Sequence, residues 1–180
     1  MAYGILVQSK VAAKDTDSKN RAAVSAAAYE NGSVGNLLTK SATSGEAEVW
    51  VMTAPVTGAL SNLWMVYEPE VNTLVSGSLK FKGITVDPRL FRNEIGEVFT
   101  AFQLSLGDLV TLSADGVAGT KSTNGFVVAT NAAQKLTWAA AAVSGVSLKL
   151  IATNYLSIGT ADLGATGRVD AYLFEVVALA

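Results

Sequence analysis

Beyond residue 30 the apolar positions of this chain alternate, or run unbroken for a few residues, between short turn signals. Glu46 to Thr53 alternates and stops at Pro55. Asn62 to Glu68 contains Leu-Trp-Met-Val-Tyr, apolar on both faces, which predicts a central strand. Val98 to Leu106 sets Val98, Phe102, Leu104 and Leu106 on one face, and Gly107-Asp108 leads into Leu109 to Ala114. Asp115-Gly116 ends that run, and Asn124-Gly125 precedes Phe126 to Thr130. Leu136 to Val143 meets Ser144-Gly145, Val146 to Thr153 follows, and Val169 to Val177 is the last run. The four alanines within Trp138 to Val143 fit a helical turn and a flat strand equally well. Asn-Gly and Asp-Gly tolerate positive φ, so between apolar runs they signal hairpins. Short strands with frequent turns predict a mainly all-β fold, a β-barrel or β-sandwich.

The first thirty residues read differently. A short apolar start, Tyr3 to Val7, is followed by a polar patch, Lys14 to Arg21, and then by Ala22 to Tyr29. Asp17 or Ser18 is a candidate cap and Asn31-Gly32 a candidate stop, so alanine's propensity predicts a short helix there. The expected division is an N-terminal arm over residues 1–30 and a β-rich domain over 31–180. Ala22 to Ala28 faintly imitates a leader peptide, but it is Ala-rich, interrupted by Ser25 and far from Met1, so it reads as structure.

Composition narrows the chemistry. The chain has no histidine and no cysteine. That removes the commonest general base near neutral pH, thiol nucleophiles, disulfides and the usual zinc and iron–sulfur ligands. Half of the residues are apolar and the mean hydropathy is +0.36. Such a chain either has a large interior or shows apolar surface that partners cover. The net charge is −2, and the densest basic group, Lys80, Lys82, Arg89 and Arg92, is interrupted by Asp87. This argues against nucleic acid as a partner. No apolar run is long enough to predict a membrane-spanning helix.

Several motifs fall short of their chemistry. Asp15 to Asn20 starts like a calcium loop, but Asn20 and Ala26 stand where glycine and a bidentate glutamate are needed. Gly116 to Ser122 is close to a phosphate loop, but Thr120 separates glycine from Lys121, and a hairpin loop is the expectation. The pairs Glu46/Glu48 and Glu68/Glu70 each share a strand face and read as exposed strand ends. Asn31-Gly32-Ser33 is a glycosylation sequon without a secretion signal. Trp50, Trp64, Trp138, Tyr67, Phe99 and Phe102 suit a core better than a sugar platform. No enzyme activity and no cofactor or metal is expected.

Phe91-Arg92-Asn93-Glu94-Ile95-Gly96-Glu97, then Ala101-Phe102-Gln103-Leu104 and Gly107-Asp108-Leu109-Val110-Thr111-Leu112-Ser113, form an ordered pattern. Over about residues 46 to 115 it resembles the small β-rich decoration, or cement, proteins of tailed-bacteriophage heads. That resemblance implies a virion protein on the capsid surface, made in the host cytoplasm. Its implied partners are the major capsid protein and further copies of itself, with glycan contact as a minor alternative. The other readings are a tail, baseplate or fibre-base component and a carbohydrate-binding β module. The arm then supplies the expected contacts: Tyr3, Ile5, Val7, Ala22, Val24 and Tyr29.

Overall fold

The computed structural model describes residues 2–7, 17–42, 48–69, 71–76, 79–84, 88–157 and 168–179. The fold is all-β. Five strands close on one another in the order β1-β3-β2-β4-β7. They are β1 (Asn20–Val24), β2 (Val34–Lys40), β3 (Val49–Thr53), β4 (Trp64–Tyr67) and β7 (Val98–Gln103). Between β4 and β7 the chain forms a separate two-stranded hairpin, β5 (Val71–Ser76) and β6 (Leu79–Ile84). The remaining strands are β8 (Leu109–Ser113), β9 (Val117–Ala118), β10 (Phe126–Val128), β11 (Leu136–Ala139), β12 (Ser147–Ser157) and β13 (Arg168–Ala178). They make one sheet in the order β8-β13-β12-β10-β11-β9.

Period-two alternation builds two cores. Ala23, Leu37, Met52, Trp64, Val66, Phe99 and Ala101 come from all five ring strands and fill the barrel with Tyr29. Met65 and Phe102, from the other faces of β4 and β7, join Val34, Leu63 and Leu104 against the six-stranded sheet. That sheet answers with Val110, Leu112, Val117, Val127, Leu136, Leu148, Phe174 and Val176. The expected central strand is therefore real. β4 lies between β2 and β7 and is buried on both faces. Each such side chain contributes about 1.5–3 kcal/mol when fully buried.

The expected helix over Ala22 to Tyr29 is not there. Residues 20–24 are β1, parallel to β3 and antiparallel to β7. Ala23 sits fully buried opposite Phe99. A small residue facing a large one suits a narrow barrel, and tertiary packing overrides alanine's helix propensity. Nor does the fold break at residue 30, because β1 is the strand that closes the ring. Further upstream, Val7 N–H donates to Thr111 O at 3.0 Å, and Ser113 N–H donates to Ile5 O at 2.8 Å. The first residues thus run along the β8 edge, with Leu6 bridged antiparallel to Leu112.

Turn signals locate bends correctly but do not choose partners. Gly107-Asp108 carries the chain from β7 in the barrel to β8 in the sheet rather than closing a hairpin. The expected hairpin loop at Gly116 to Ser122 is also different, since β9 pairs in parallel with β11. Barrel and sheet are joined by polar contacts too. The Asn36 amide is buried, donates to Ala59 O and Asn62 O at 2.8 and 2.7 Å, and accepts from Val56 N–H at 2.8 Å. That loop then receives a bond from Val146 N–H to Leu60 O at 2.9 Å. Glu30 accepts from both Gly4 N–H and Lys135 Nζ, which ties the N-terminal segment to the sheet side.

β2 and β3 approach closely at Gly35, beside the Asn36↔Thr53 pair. A Cβ on Gly35 would lie 2.6 Å from Thr53 O and 2.8 Å from Met52 Cγ. Gly35→Ala is expected to cost about 1–3 kcal/mol in urea unfolding. Gly58→Ala, where a Cβ meets nothing within 4 Å, is expected to stay within about 0.5 kcal/mol of wild type. Equal stability of the two variants would contradict the close approach.

Candidate interaction surface

The six residues expected to contact a partner divide into two groups. Ile5 and Tyr29 are buried, at 6% and 1% exposure, and make internal contacts. Ile5 N–H donates to Ser113 Oγ at 2.9 Å, and the Tyr29 ring lies 5.8 Å from Phe99. Their apolar character is spent on this chain's own core, so neither is available to a partner. Tyr3, Val7, Ala22 and Val24 are half-buried. Arg92 stands over the Tyr3 ring at 5.6 Å.

Burial pushes the Tyr29 hydroxyl up to about 12, with Gln134 and Ser25 partly offsetting it. The Tyr29 oxygen has no hydrogen bond of ordinary geometry. The backbone around it is well tied, because Tyr29 N–H donates to Asn93 O and Asn93 N–H donates to Tyr29 O. Asn31 of the sequon is buried, and its amide exchanges two 2.9 Å bonds with the Glu68 backbone, extending the β4 ladder. Its side chain is therefore structural and inaccessible to modification.

The candidate acid pairs do not assemble. Glu48 is exposed and pairs with Lys40, whose charge and hydrogen bond hold its carboxyl below the usual range. Glu68 Oε2 accepts from Thr100 N–H at 2.9 Å. Glu46, Glu70 and the Asp15 end of the calcium-like stretch lie outside the described residues. Among the described residues no group of three or more carboxylates is placed to hold a metal ion. No described helix is long and apolar enough to cross a membrane. At the barrel mouth Arg21 stacks on Trp50 at 4.5 Å and on Trp64 at 5.3 Å. A shallow cavity of about 260 Å³ there is lined by Ser18, Asn20, Arg21, Ala22, Glu48 and Trp50.

The most distinctive surface comes from strands that outrun their neighbours. β12 and β13 are each 11 residues long, paired from Ser147↔Ala178 to Ser157↔Arg168. β10 covers β12 only along Ser147–Lys149, and β8 covers β13 only along Ala171–Glu175. From Ile151 to Ser157 the outer edge of β12 has no partner strand among the described residues. The sheet's core face continues onto this ribbon as an aromatic shelf. Trp138 meets Tyr172 edge-on at 5.3 Å and Phe174 at 5.6 Å. Lys121 lies 5.2 Å over Tyr172 and donates to Thr153 Oγ1, while Arg168 lies 4.7 Å over Tyr155. Tyr155 is 60% exposed and Ile151 49%. Sequence reading stopped this strand at Thr153, because Asn154 and Ser157 interrupt the apolar pattern. The length of the overhang depends on where β8 and β10 end, which no local signal reports.

No protein-family model matches the chain, and neither a curated protein nor a solved structure matches it.

Tyr29 gives a sign-defined test. Its native pKa lies above the unfolded value, so the unfolded state loses its proton first as pH rises. The Tyr29 contribution to stability is level below pH about 10 and falls from there to about 12. Tyr29→Phe is expected to flatten that part of the urea-midpoint profile, while near neutral pH it stays within about 1 kcal/mol of wild type. An unchanged alkaline slope would rule out the buried hydroxyl as its source.

Proposed function

We propose that this protein is a structural component of a tailed-bacteriophage virion. It is a decoration or cement protein that binds the outside of the expanded capsid shell and bridges major capsid subunits. It acts by burial and strand pairing, without catalysis, cofactor, nucleic acid or membrane. The observation that carries the reading is the β12–β13 pair, whose β12 edge from Ile151 to Ser157 has no partner strand among the described residues and whose last pairs, Tyr155↔Asp170 to Ser157↔Arg168, outrun both β8 and β10. A two-stranded ribbon is marginal in water and is completed by another chain. The β5–β6 hairpin adds a second two-stranded unit. Leu106, Leu109 and Val177 are exposed around one turn, held together by bonds between Val176 and the Gly107-Asp108 backbone. Modest contacts of this kind become strong when a symmetric shell repeats them. The sequence resemblance supplies the identity of the partner.

The carbohydrate module has less support. Phe99, Phe102 and Trp64 are core residues, and the half-exposed tyrosines carry Lys121 and Arg168 over their rings. Those cations occupy the faces on which a sugar would stack.

Light scattering with and without expanded empty shells of the encoding phage tests the proposal. Saturable, stoichiometric binding to shells is expected. A defined closed oligomer that ignores shells would instead assign the protein to a tail, baseplate or fibre base.

A further inference from the structure

We propose that the barrel mouth at Arg21 is a carboxylate-binding site that takes an aspartate or glutamate side chain of a partner protein. The proposal deepens the binding role above by naming the chemistry of one contact, and it is tested without shells.

The pleat of the ring strands sets a cation inside the end of the barrel. Arg21 lies two residues from Ala23 on β1, and Trp50 two residues from Met52 on β3, so each shares a face with a barrel-core residue. Trp64 of β4 belongs to the same core and meets Arg21 from the other side of the ring. Lys40 is paired with Trp50 across β2 and β3, and its Nζ lies 5.8 Å from the centre of that indole. Aromatic walls with a few placed polar groups at a barrel mouth are a recurrent setting for ligands.

The neighbouring charged and amide side chains have partners. Lys40 pairs with Glu48 at 2.5 Å, Gln103 donates to Asn62 Oδ1 at 3.0 Å, and the Tyr67 hydroxyl donates to Asn20 Oδ1 at 3.2 Å. Arg21 differs from them. Its guanidinium lies over Trp50 at 4.5 Å and over Trp64 at 5.3 Å. Among the described residues no side chain forms an ion pair with it and no acceptor takes a hydrogen bond from it. Cation–π contact satisfies charge at the ring faces and leaves the N–H donors of the guanidinium unfilled. The two indoles also restrict how the group can turn, so the donors form a preset fork at a half-buried position.

Charge selects the ligand. Arg21 and Lys40 bring two positive charges to the mouth and Glu48 one negative charge, which leaves a net charge of about +1 for a monoanion to balance. A doubly charged phosphate would meet more repulsion from Glu48, which lies near enough to Arg21 to feel its charge. A carboxylate is also planar, and its two oxygens match the edge of a guanidinium. The cavity is shallow, about 260 Å³, with Ser18 and Asn20 on its rim. That space suits the end of an acidic side chain better than a whole small molecule.

The test is a proton–nitrogen NMR titration with the capped residue N-acetylglutamate α-amide, its uncharged glutamine counterpart and inorganic phosphate. The glutamate probe is expected to bind weakly but saturably, shifting the indole N–H signals of Trp50 and Trp64 and the Nε–H signal of Arg21. Trp138, in the aromatic shelf of the sheet, is the internal control and is expected to stay in place. Arg21→Gln and Arg21→Lys are each expected to weaken binding by at least roughly tenfold, the lysine because it lacks the fork. Glu48→Gln is expected to tighten binding by about threefold, since it removes the opposing charge and releases Lys40. Glu48 is exposed, so this variant keeps the test valid if the barrel does not tolerate a change at residue 21. Near-ultraviolet circular dichroism checks that each variant is folded. Equal binding of the glutamine probe, equal movement of Trp138, or unchanged affinity in the folded variants overturns the proposal. Tighter binding of phosphate than of the glutamate probe overturns it as well. Failure of shell binding with carboxylate binding intact would instead remove the capsid reading alone.

Discussion

Two strands that are apolar on both faces hold this molecule together. β4 and β7 send Trp64, Val66, Phe99 and Ala101 into the barrel, and Met65 and Phe102 into the sheet. Because the side-chain period is two, a slip of one residue would exchange these sets. Trp64 would then face the sheet and Met65 the barrel, and neither space fits the exchange. The residues that fix the barrel's register therefore also fix how the sheet docks. The polar ties follow from that placement. The buried Asn36 amide can organise the loop after β3 only because β2 is held against β4, and Glu30 meets Lys135 only because the sheet is already seated. The expected unfolding is a single cooperative event.

The fold was legible wherever a strand's burial was written in its own sequence. Leu63 to Tyr67 announced a central strand, and eight of the apolar runs coincide with strands. β1 and β2 were not legible, for different reasons. In β1 the alanines favour a helix locally, yet their value is small size, which lets Ala23 lie against Phe99. Its neighbours β3 and β7 make that strand worthwhile, and both lie more than twenty residues away. β2 carries Asn36 at a fully buried position, which breaks any apolar pattern. Its burial is tolerated because its donors and acceptor are satisfied by a loop that sequence order does not bring near. Turn chemistry had the same limit: Gly107 has the positive φ the turn needs, but the two flanking strands belong to different layers.

The candidate surface was less legible than the fold. Tyr3, Ile5, Val7 and Tyr29 are apolar residues of a segment whose sequence reads as separate from the strands. Apolar character does not distinguish a residue that meets its own core from one that meets another chain, and Ile5 and Tyr29 meet their own core. The ribbon has the opposite character. Its edge residues are of mixed polarity and would pass for an ordinary strand end. Its significance comes from β10 stopping at Val128 while β12 continues to Ser157. Relative strand length is a property of the assembled sheet, and single-strand patterns do not carry it.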